Sequence, residues 1–109
     1  MLRIVDTILQ LIHDVAPIAE AVERHDKDLA SQIRRALSSV AANTAEGSDQ
    51  RGKRRGNHYA MALGSAREAL VELRTAEAWR YIGPLPPNIT AQFAHVIGTL
   101  HKVAHGSRT

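Results

Sequence analysis

Apolar residues recur every three or four positions along almost the whole chain of 109 residues, and no segment alternates apolar and polar residues as a strand does. Three breaks interrupt this helical spacing: a polar turn at 24–26, a glycine-containing stretch at 47–56 and the sequence Gly-Pro-Leu-Pro-Pro at 83–87. Helices joined by connections this short run antiparallel to their neighbours. The pattern therefore predicts an all-α, antiparallel up-and-down four-helix bundle. It forms a single domain over residues 1–109, with helices near 2–24, 27–46, 56–81 and 87–105.

The first predicted helix carries two adjacent apolar rows. One row contains Ile4, Ile8, Leu11, Val15, Ile18 and Val22, and the other contains Val5, Leu9, Ile12, Ala16 and Ala19. An apolar face of this width exceeds what one helix–helix contact covers. Such a helix touches two neighbours within the bundle, or one neighbour and another subunit. Because a chain of this length has a limited core, we expect a homo-oligomer.

The positive charge of the chain is concentrated in one segment. We expect the second helix to end at Gly47 in the left-handed conformation of a helix C-cap, so that Ser48 to Gly56 form a polar loop. The chain has 14 Lys and Arg residues against 11 Asp and Glu residues, a net charge of +3. Four of these cations fall between positions 51 and 55, where no acid lies. Such a run is typical of a solvated loop or of a surface that binds an anionic partner.

Several kinds of chemistry are excluded. The absence of cysteine excludes disulfides, thiolate zinc sites and cysteine catalysis. No apolar run approaches the roughly 20 residues of a membrane span, and charge appears too early for a signal peptide, so we expect a cytoplasmic protein without a membrane partner. Residues 47–54 match a phosphate-binding loop as far as Lys53, but Arg54 occupies the position of the required Ser or Thr.

Metal binding and catalysis have little support. His101 and His105 lie four residues apart on the predicted fourth helix and could face one ion, but histidines in a last helical turn also complement the helix macrodipole. The sequence leaves these two possibilities open, and no cofactor is expected. Asn43, Glu46 and His58 flank the predicted loop, yet no nucleophile with an orienting partner accompanies them. We therefore expect no enzymatic activity and assign no catalytic residue.

Two segments resemble those of a known family. The stretch from 35 to 47 ends in Asn-Thr-Ala-Glu-Gly, where small four-helix-bundle proteins encoded by intervening sequences within bacterial 23S ribosomal RNA genes have Asn-Ile-Ala-Glu-Gly. A basic loop follows in that family, and then a helix whose pattern here reads Ala-Leu-Gly-Ser-Ala-Arg-Glu at 62–68. The resemblance covers residues 25 to 82 with these motifs. The flanking helices are similar only in length and periodicity, and the aromatic residues after the loop are reduced to Tyr59.

The resemblance implies an assembly and a class of function. Members of the family form homopentameric rings or barrels, and accessory proteins of diversity-generating retroelements, which are similar in fold, bind a reverse transcriptase and nucleic acid through a basic surface. No enzymatic activity is implied. In this reading Asn43, Glu46, Gly47 and Glu68 are structural. Asn43 and Glu46 lie three residues apart on one helix face, where they could bond the backbone of the following loop.

The sequence therefore predicts a non-enzymatic, homo-oligomeric bundle that binds RNA or single-stranded nucleic acid. The binding residues are expected to be Arg51, Lys53, Arg54 and Arg55, with Arg34 and Arg35 as secondary candidates. Because Tyr59 is the one aromatic residue near these cations in the sequence, we expect little base stacking and little base selectivity. The alternative is a protein-interaction scaffold whose basic loop docks an acidic partner, such as a reverse transcriptase.

Overall fold

Four α-helices make up the architecture in a computed structural model that describes residues 2–105, apart from the side chain of Leu2. The predicted domain 1–109 extends beyond these residues at both ends. The helices are α1 (Leu2–Glu23), α2 (Lys27–Ser48), α3 (Gly52–Ala78) and α4 (Pro87–His105). Consecutive helices pack against each other, most extensively α2 against α3, and α1 also contacts α4. The predicted all-α up-and-down four-helix bundle is confirmed.

The core lies along the axis of the bundle and receives one apolar row from each helix. Each large aliphatic side chain that is fully buried stabilises the fold by about 1.5–3 kcal/mol relative to an exposed one. The largest fully buried side chains are Tyr59, Phe93, Ile8, Leu11, Ile33, Leu73, Ile89, Leu100, Val15, Val22, Val40 and Val96.

Helix α1 uses mainly one of its two apolar rows for this core. In the second row Leu9 is 50% exposed and Ala16 is also exposed, whereas Val5 and Ile12 are half-buried. An open groove of about 300 Å³, lined mainly by apolar side chains, runs beside this row between α1 and α2. The bundle therefore leaves part of the apolar face of α1 uncovered.

The connection between α2 and α3 is much shorter than the sequence indicates. Helix α2 continues through Gly47 to Ser48, and α3 begins at Gly52, so only residues 49–51 join them. The predicted polar loop over 48–56 is therefore wrong, as is the predicted start of the third helix near 56. Lysine and arginine have high helix propensity, and the packing of Tyr59 in the core holds the turn before it in helical register. Lys53, Arg54 and Arg55 consequently form the first turn of α3.

Gly47 is required by packing and not by its backbone conformation. The prediction of a left-handed C-cap here is wrong, because the glycine with a positive φ, of 62°, in the described part of the chain is Gly52. Gly47 is buried inside α2, and a Cβ atom at this position would lie 2.8 Å from Cε1 and 2.9 Å from Cδ1 of Tyr59. Real Cβ atoms do not approach other atoms this closely, so the missing side chain allows α3 to pack directly on the backbone of α2.

Replacing Gly47 tests this packing. Gly47→Ala should lower the free energy of unfolding by about 1 kcal/mol, because overpacking costs about 1–3 kcal/mol and the better helix propensity of alanine recovers part of it. Gly98→Ala is the matched control, since Gly98 lies in α4 with open space around its Cβ position. The control should be stabilised by about 0.5–1 kcal/mol. Denaturant unfolding measures the change in the free energy of unfolding of each variant. Equal stabilisation of the two variants would contradict the role given to Gly47.

Candidate nucleic-acid interface

Arg51, Lys53, Arg54 and Arg55, hereafter the basic cluster, lie at the end of the bundle where α2 ends and α3 begins. Arg51, Lys53 and Arg54 are exposed, whereas Arg55 is half-buried. The guanidinium of Arg55 lies over the ring of Tyr59, 5.7 Å from its centroid, within the range of a cation–π interaction. Over residues 2–105 no carboxylate forms an ion pair with any of the four. None of the four charges is therefore directly paired with an acid in the described chain.

The placement of the basic cluster opposes the usual electrostatics of helix ends. The first turn of α3 contains no acidic residue, and Arg51 at the N-cap makes no side-chain hydrogen bond to the helix. The N-terminus of a helix carries a partial positive charge, so each cation there costs about 0.3–1 kcal/mol. The helix end and the cations together form a concentrated positive potential that favours bound anions such as phosphates.

An open groove lies beside the basic cluster, between the start of α3 and the end of α4. Its volume is about 620 Å³. Lys53, Arg55 and Asn57 line it together with the small residues Gly52, Gly56, Ala60 and Ala104. Small residues leave room for a ligand between the two helices, and the polar side chains can contact it. Asn57 and the small residues were not among the predicted site residues, although Gly56 and Ala60 lie four apart on one helix face.

A chain of hydrogen bonds crosses the contact between α2 and α3 next to the basic cluster. The side-chain amide of Asn43 donates to the backbone oxygen and to Oγ of Ser39, both at 3.1 Å, and this Oγ lies 2.9 Å from Oγ of Ser65. The Asn43 Oδ1 is therefore the acceptor towards His58, whose Nδ1 lies 3.1 Å away and donates. Asn43 thus joins the two helices, which corrects the expectation that it bonds the backbone of the connection.

Glu46 and Glu68, the two acids of the motif residues, are both exposed. The side chain of Glu46 accepts a bond of 3.5 Å from Gln50 and makes no bond to the backbone of residues 49–51. The expectation that Glu46 bonds that backbone is therefore wrong. Glu68 lines a groove between α2 and α3 with Arg35 and Glu72.

The secondary candidates Arg34 and Arg35 lie apart from the basic cluster. Arg34 forms an ion pair of 2.7 Å with Glu23. Arg35 lines the groove between α2 and α3 with Glu68 and Glu72. Thirteen residues of α2 separate Arg35 from Ser48, which is roughly 20 Å along the helix axis. The structure therefore does not bring these two cations together with the other four, and each has acids nearby.

The described residues contain no group of three or more His, Asp or Glu side chains that could hold a metal ion. The rings of His101 and His105 lie 4.5 Å apart, and Nδ1 of His105 lies 3.0 Å from the backbone oxygen of His101. Nδ1 of His105 therefore points to the backbone of its own helix.

Among the four helices, none is both long and apolar enough to cross a bilayer.

The chain matches one family of known proteins. The model of the family described as 23S rRNA-intervening sequence protein matches residues 1–98. The match includes α1 and much of α4, which the motifs of the second and third helices do not cover. No curated protein and no solved structure matches the chain significantly.

Glu72, in the groove that Arg35 also lines, is expected to make the stability of the protein depend on pH. Oε1 of Glu72 is buried without a hydrogen-bond partner, and burial, followed by the nearby Glu68 carboxylate, raises the pKa of Glu72 above its usual 4.5. Because the pKa of Glu72 is higher in the folded state than in the unfolded state, ionisation of this carboxyl destabilises the fold. The destabilisation is complete above the raised pKa and absent below the usual value of 4.5. Glu72→Gln should therefore raise Tm at pH 7 and leave it unchanged near pH 3. Glu20→Gln, at an exposed position of α1, should leave Tm unchanged at both pH values, and equal effects of the two variants would contradict the prediction.

Proposed function

The chain belongs to the 23S rRNA-intervening sequence protein family, and we propose that it is a non-enzymatic, homo-oligomeric protein that binds RNA through its basic cluster. One observation carries the proposal: four cations without carboxylate partners in the described chain lie at the positive end of a helix macrodipole. This arrangement costs folding free energy, and an anionic ligand removes the cost. Local sequence choices that oppose stability are expected at functional sites.

The chemistry of the basic cluster suits phosphates of a nucleic-acid backbone. Three of the four cations are arginines, whose planar guanidinium groups donate two parallel hydrogen bonds to phosphate oxygens. Lys53 and Arg55 line the open groove of about 620 Å³ between α3 and α4, where an RNA backbone can contact them. Tyr59 is 1% exposed, so its ring offers no face for a base to stack on. We infer that contacts at the basic cluster neutralise phosphates and do not select bases.

The proposed homo-oligomer follows from the apolar row of α1 that the bundle leaves open. A second copy packed on Leu9 and its neighbours covers this row and the groove beside it. The oligomer also strengthens RNA binding, because each copy repeats the basic cluster. A pentamer, which the family resemblance favours, presents about 20 clustered cations, and simultaneous binding at several of them raises affinity without new chemistry.

Removing the basic cluster tests the proposed RNA binding. The quadruple variant, in which Arg51→Gln, Lys53→Gln, Arg54→Gln and Arg55→Gln are combined, should bind a single-stranded RNA of 20 nucleotides much more weakly than wild type at physiological salt. The slope of log affinity against log salt should fall by about 0.7 for each phosphate that the variant no longer neutralises. Helicity should not change, since glutamine is also a good helix former. Fluorescence anisotropy at several salt concentrations measures affinity and slope.

The double variant Arg34→Gln and Arg35→Gln is the control for general loss of charge. It should lose little affinity, because acids already compensate both cations. Equal affinities and equal salt slopes for wild type and the quadruple variant would contradict the proposal. The remaining explanation of the basic cluster would then be the docking of an acidic protein, such as a reverse transcriptase.

Light scattering tests the proposed assembly. At micromolar concentration the mass should be a multiple of 11.9 kDa, and about 60 kDa for a pentamer. Leu9→Glu should shift the mass towards that of one chain and leave the helical content unchanged, because Leu9 is half exposed within one bundle. Val71→Glu, at an exposed position of α3, should keep the wild-type mass. A wild-type mass near 11.9 kDa would contradict the proposal.

A further inference from the structure

Aromatic side chains collect at the end of the bundle opposite the basic cluster. The chain has four Phe, Trp and Tyr residues, of which Phe93 and Tyr59 are buried in the core. The other two, Trp79 and Tyr81, lie together just after α3. Trp79 is 67% exposed, and burial in the core therefore does not account for it.

The rings of His25, Tyr81 and Trp79, hereafter the aromatic platform, are nearly parallel. Tyr81 stacks on His25, from the turn between α1 and α2, with centroids 5.1 Å apart and an angle of 5° between the planes. Tyr81 also stacks on Trp79, with centroids 6.4 Å apart and an angle of 19°. Tyr81 packs against the core, whereas most of the Trp79 ring faces solvent. The aromatic platform thus joins two connections of the bundle and ends in an open aromatic surface.

The residue between Trp79 and Tyr81 is an arginine in a conformation that favours glycine. Arg80 has φ of 65°. Its backbone N–H donates to the oxygen of Glu77, and that of Tyr81 donates to the oxygen of Ala76, which together form a Schellman motif at the end of α3. Glycine adopts this conformation without the steric cost that a side chain incurs. Folding therefore does not account for the choice of arginine here.

Three exposed cations accompany the aromatic platform: Arg24, Lys27 and Arg80. Within residues 2–105 none of them forms an ion pair. Arg24 directly precedes His25 in the chain, and Arg80 separates Trp79 from Tyr81. An exposed aromatic face among unpaired cations is the combination that binds single-stranded nucleic acid.

Three acids at this end of the bundle, Glu23, Asp26 and Glu77, have partners other than these cations. Glu23 pairs with Arg34, and Asp26 accepts a hydrogen bond of 2.9 Å from the backbone N–H of Leu29. The Glu77 carboxylate binds Arg74 and the backbone N–H of Leu85, and these two contacts lower the pKa of Glu77. Each of these three carboxylates therefore has a partner other than Arg24, Lys27 and Arg80, and the three cations remain available to a ligand.

We propose that the aromatic platform is a second RNA contact, in which an unpaired nucleobase stacks on Trp79 and the neighbouring phosphates contact Arg24, Lys27 and Arg80. The proposal rests on the proposed function in that its ligand is RNA. It differs from the expectation that stacking contributes little, which considers only the residues near the basic cluster. The flat, nearly parallel rings fit the π-face of a base, and the cations fit the phosphates on either side.

The two RNA contacts are far apart within one chain. The 27 residues of α3 separate the basic cluster from Trp79 by about 40 Å along the bundle. A strand of four nucleotides, roughly 14 Å long when stacked, cannot reach both. Short and long strands therefore report on the two regions separately.

Tryptophan fluorescence tests the aromatic platform directly, because Trp79 is the single tryptophan and carries all of the emission. Tetra-adenylate should quench it in a saturable way, and an abasic tetranucleotide with the same phosphates should not. The quadruple variant of the basic cluster should be quenched as wild type is. Equal quenching by the two tetranucleotides, or none by either, would overturn the proposal. Quenching by an acidic peptide that displaces tetra-adenylate would also overturn it, in favour of a protein partner.

Two variants extend the test to the RNA of 20 nucleotides. Trp79→Leu should weaken binding about 5-fold to 150-fold, the usual effect of removing one stacked base, whereas Met61→Ala, at an exposed apolar position of α3, should not. Arg80→Gly should raise Tm and still weaken binding, so that the weaker binding cannot come from misfolding. Wild-type affinity in both variants would overturn the proposal.

The outcomes separate this inference from the proposed function. If the quadruple variant binds the long RNA as wild type does while tetra-adenylate still quenches Trp79, the role of the basic cluster fails and the aromatic platform stands. If the quadruple variant binds the long RNA much more weakly than wild type while tetra-adenylate has no effect on wild type, only the aromatic platform fails.

Discussion

The packing of the Tyr59 ring on the bare backbone of Gly47 determines how α2 meets α3, and the candidate interface depends on that packing. The ring fills the space that a Cβ atom would occupy, so the last turn of α2 lies directly against the start of α3. The guanidinium of Arg55 lies over the same Tyr59 ring. Asn43 of α2 and His58 of α3, the residue before Tyr59, join the two helices by a hydrogen bond. A buried residue of the core thus positions one cation of the basic cluster and fixes the helix that carries the others.

This anchoring explains why α3 tolerates cations in its first turn. An isolated helix that begins with Lys53, Arg54 and Arg55 frays, because these charges repel one another and the positive end of the helix macrodipole. In the bundle, the burial of Tyr59 and of the apolar residues that follow holds the helix together. The stability of the core therefore allows a concentration of charge that the helix alone does not support.

The sequence predicts the fold more fully than the site. Apolar spacing identifies all four helices, because the core receives one row from each of them. The start of α3 was misplaced because a run of cations with two glycines is typical of a loop, and only the tertiary contact between Tyr59 and Gly47 makes it helical. The sequence indicates a C-cap role for Gly47, whereas its role is in packing, since a close approach between helices leaves no local signature. The sequence does not reveal the aromatic platform, because His25 and Tyr81 are distant in the chain and the predicted third helix includes Trp79 to Tyr81, whereas α3 ends at Ala78.

The positions of the apolar row, the basic cluster and the aromatic platform fit together in an assembly. The open row of α1 runs along the side of the bundle, whereas the two proposed RNA-binding regions lie at its opposite ends. In a cyclic oligomer formed through α1 whose bundles run parallel to the symmetry axis, every basic cluster lies on one face of the ring and every aromatic platform on the other. In the proposed binding mode, an RNA strand on the first face contacts cations through its phosphates alone, so its energy depends little on its position along that face. In the proposed second contact, an RNA strand that reaches the other face also stacks its bases there. The proposal therefore implies that unpaired segments are bound in preference to duplex, whose bases already stack on each other.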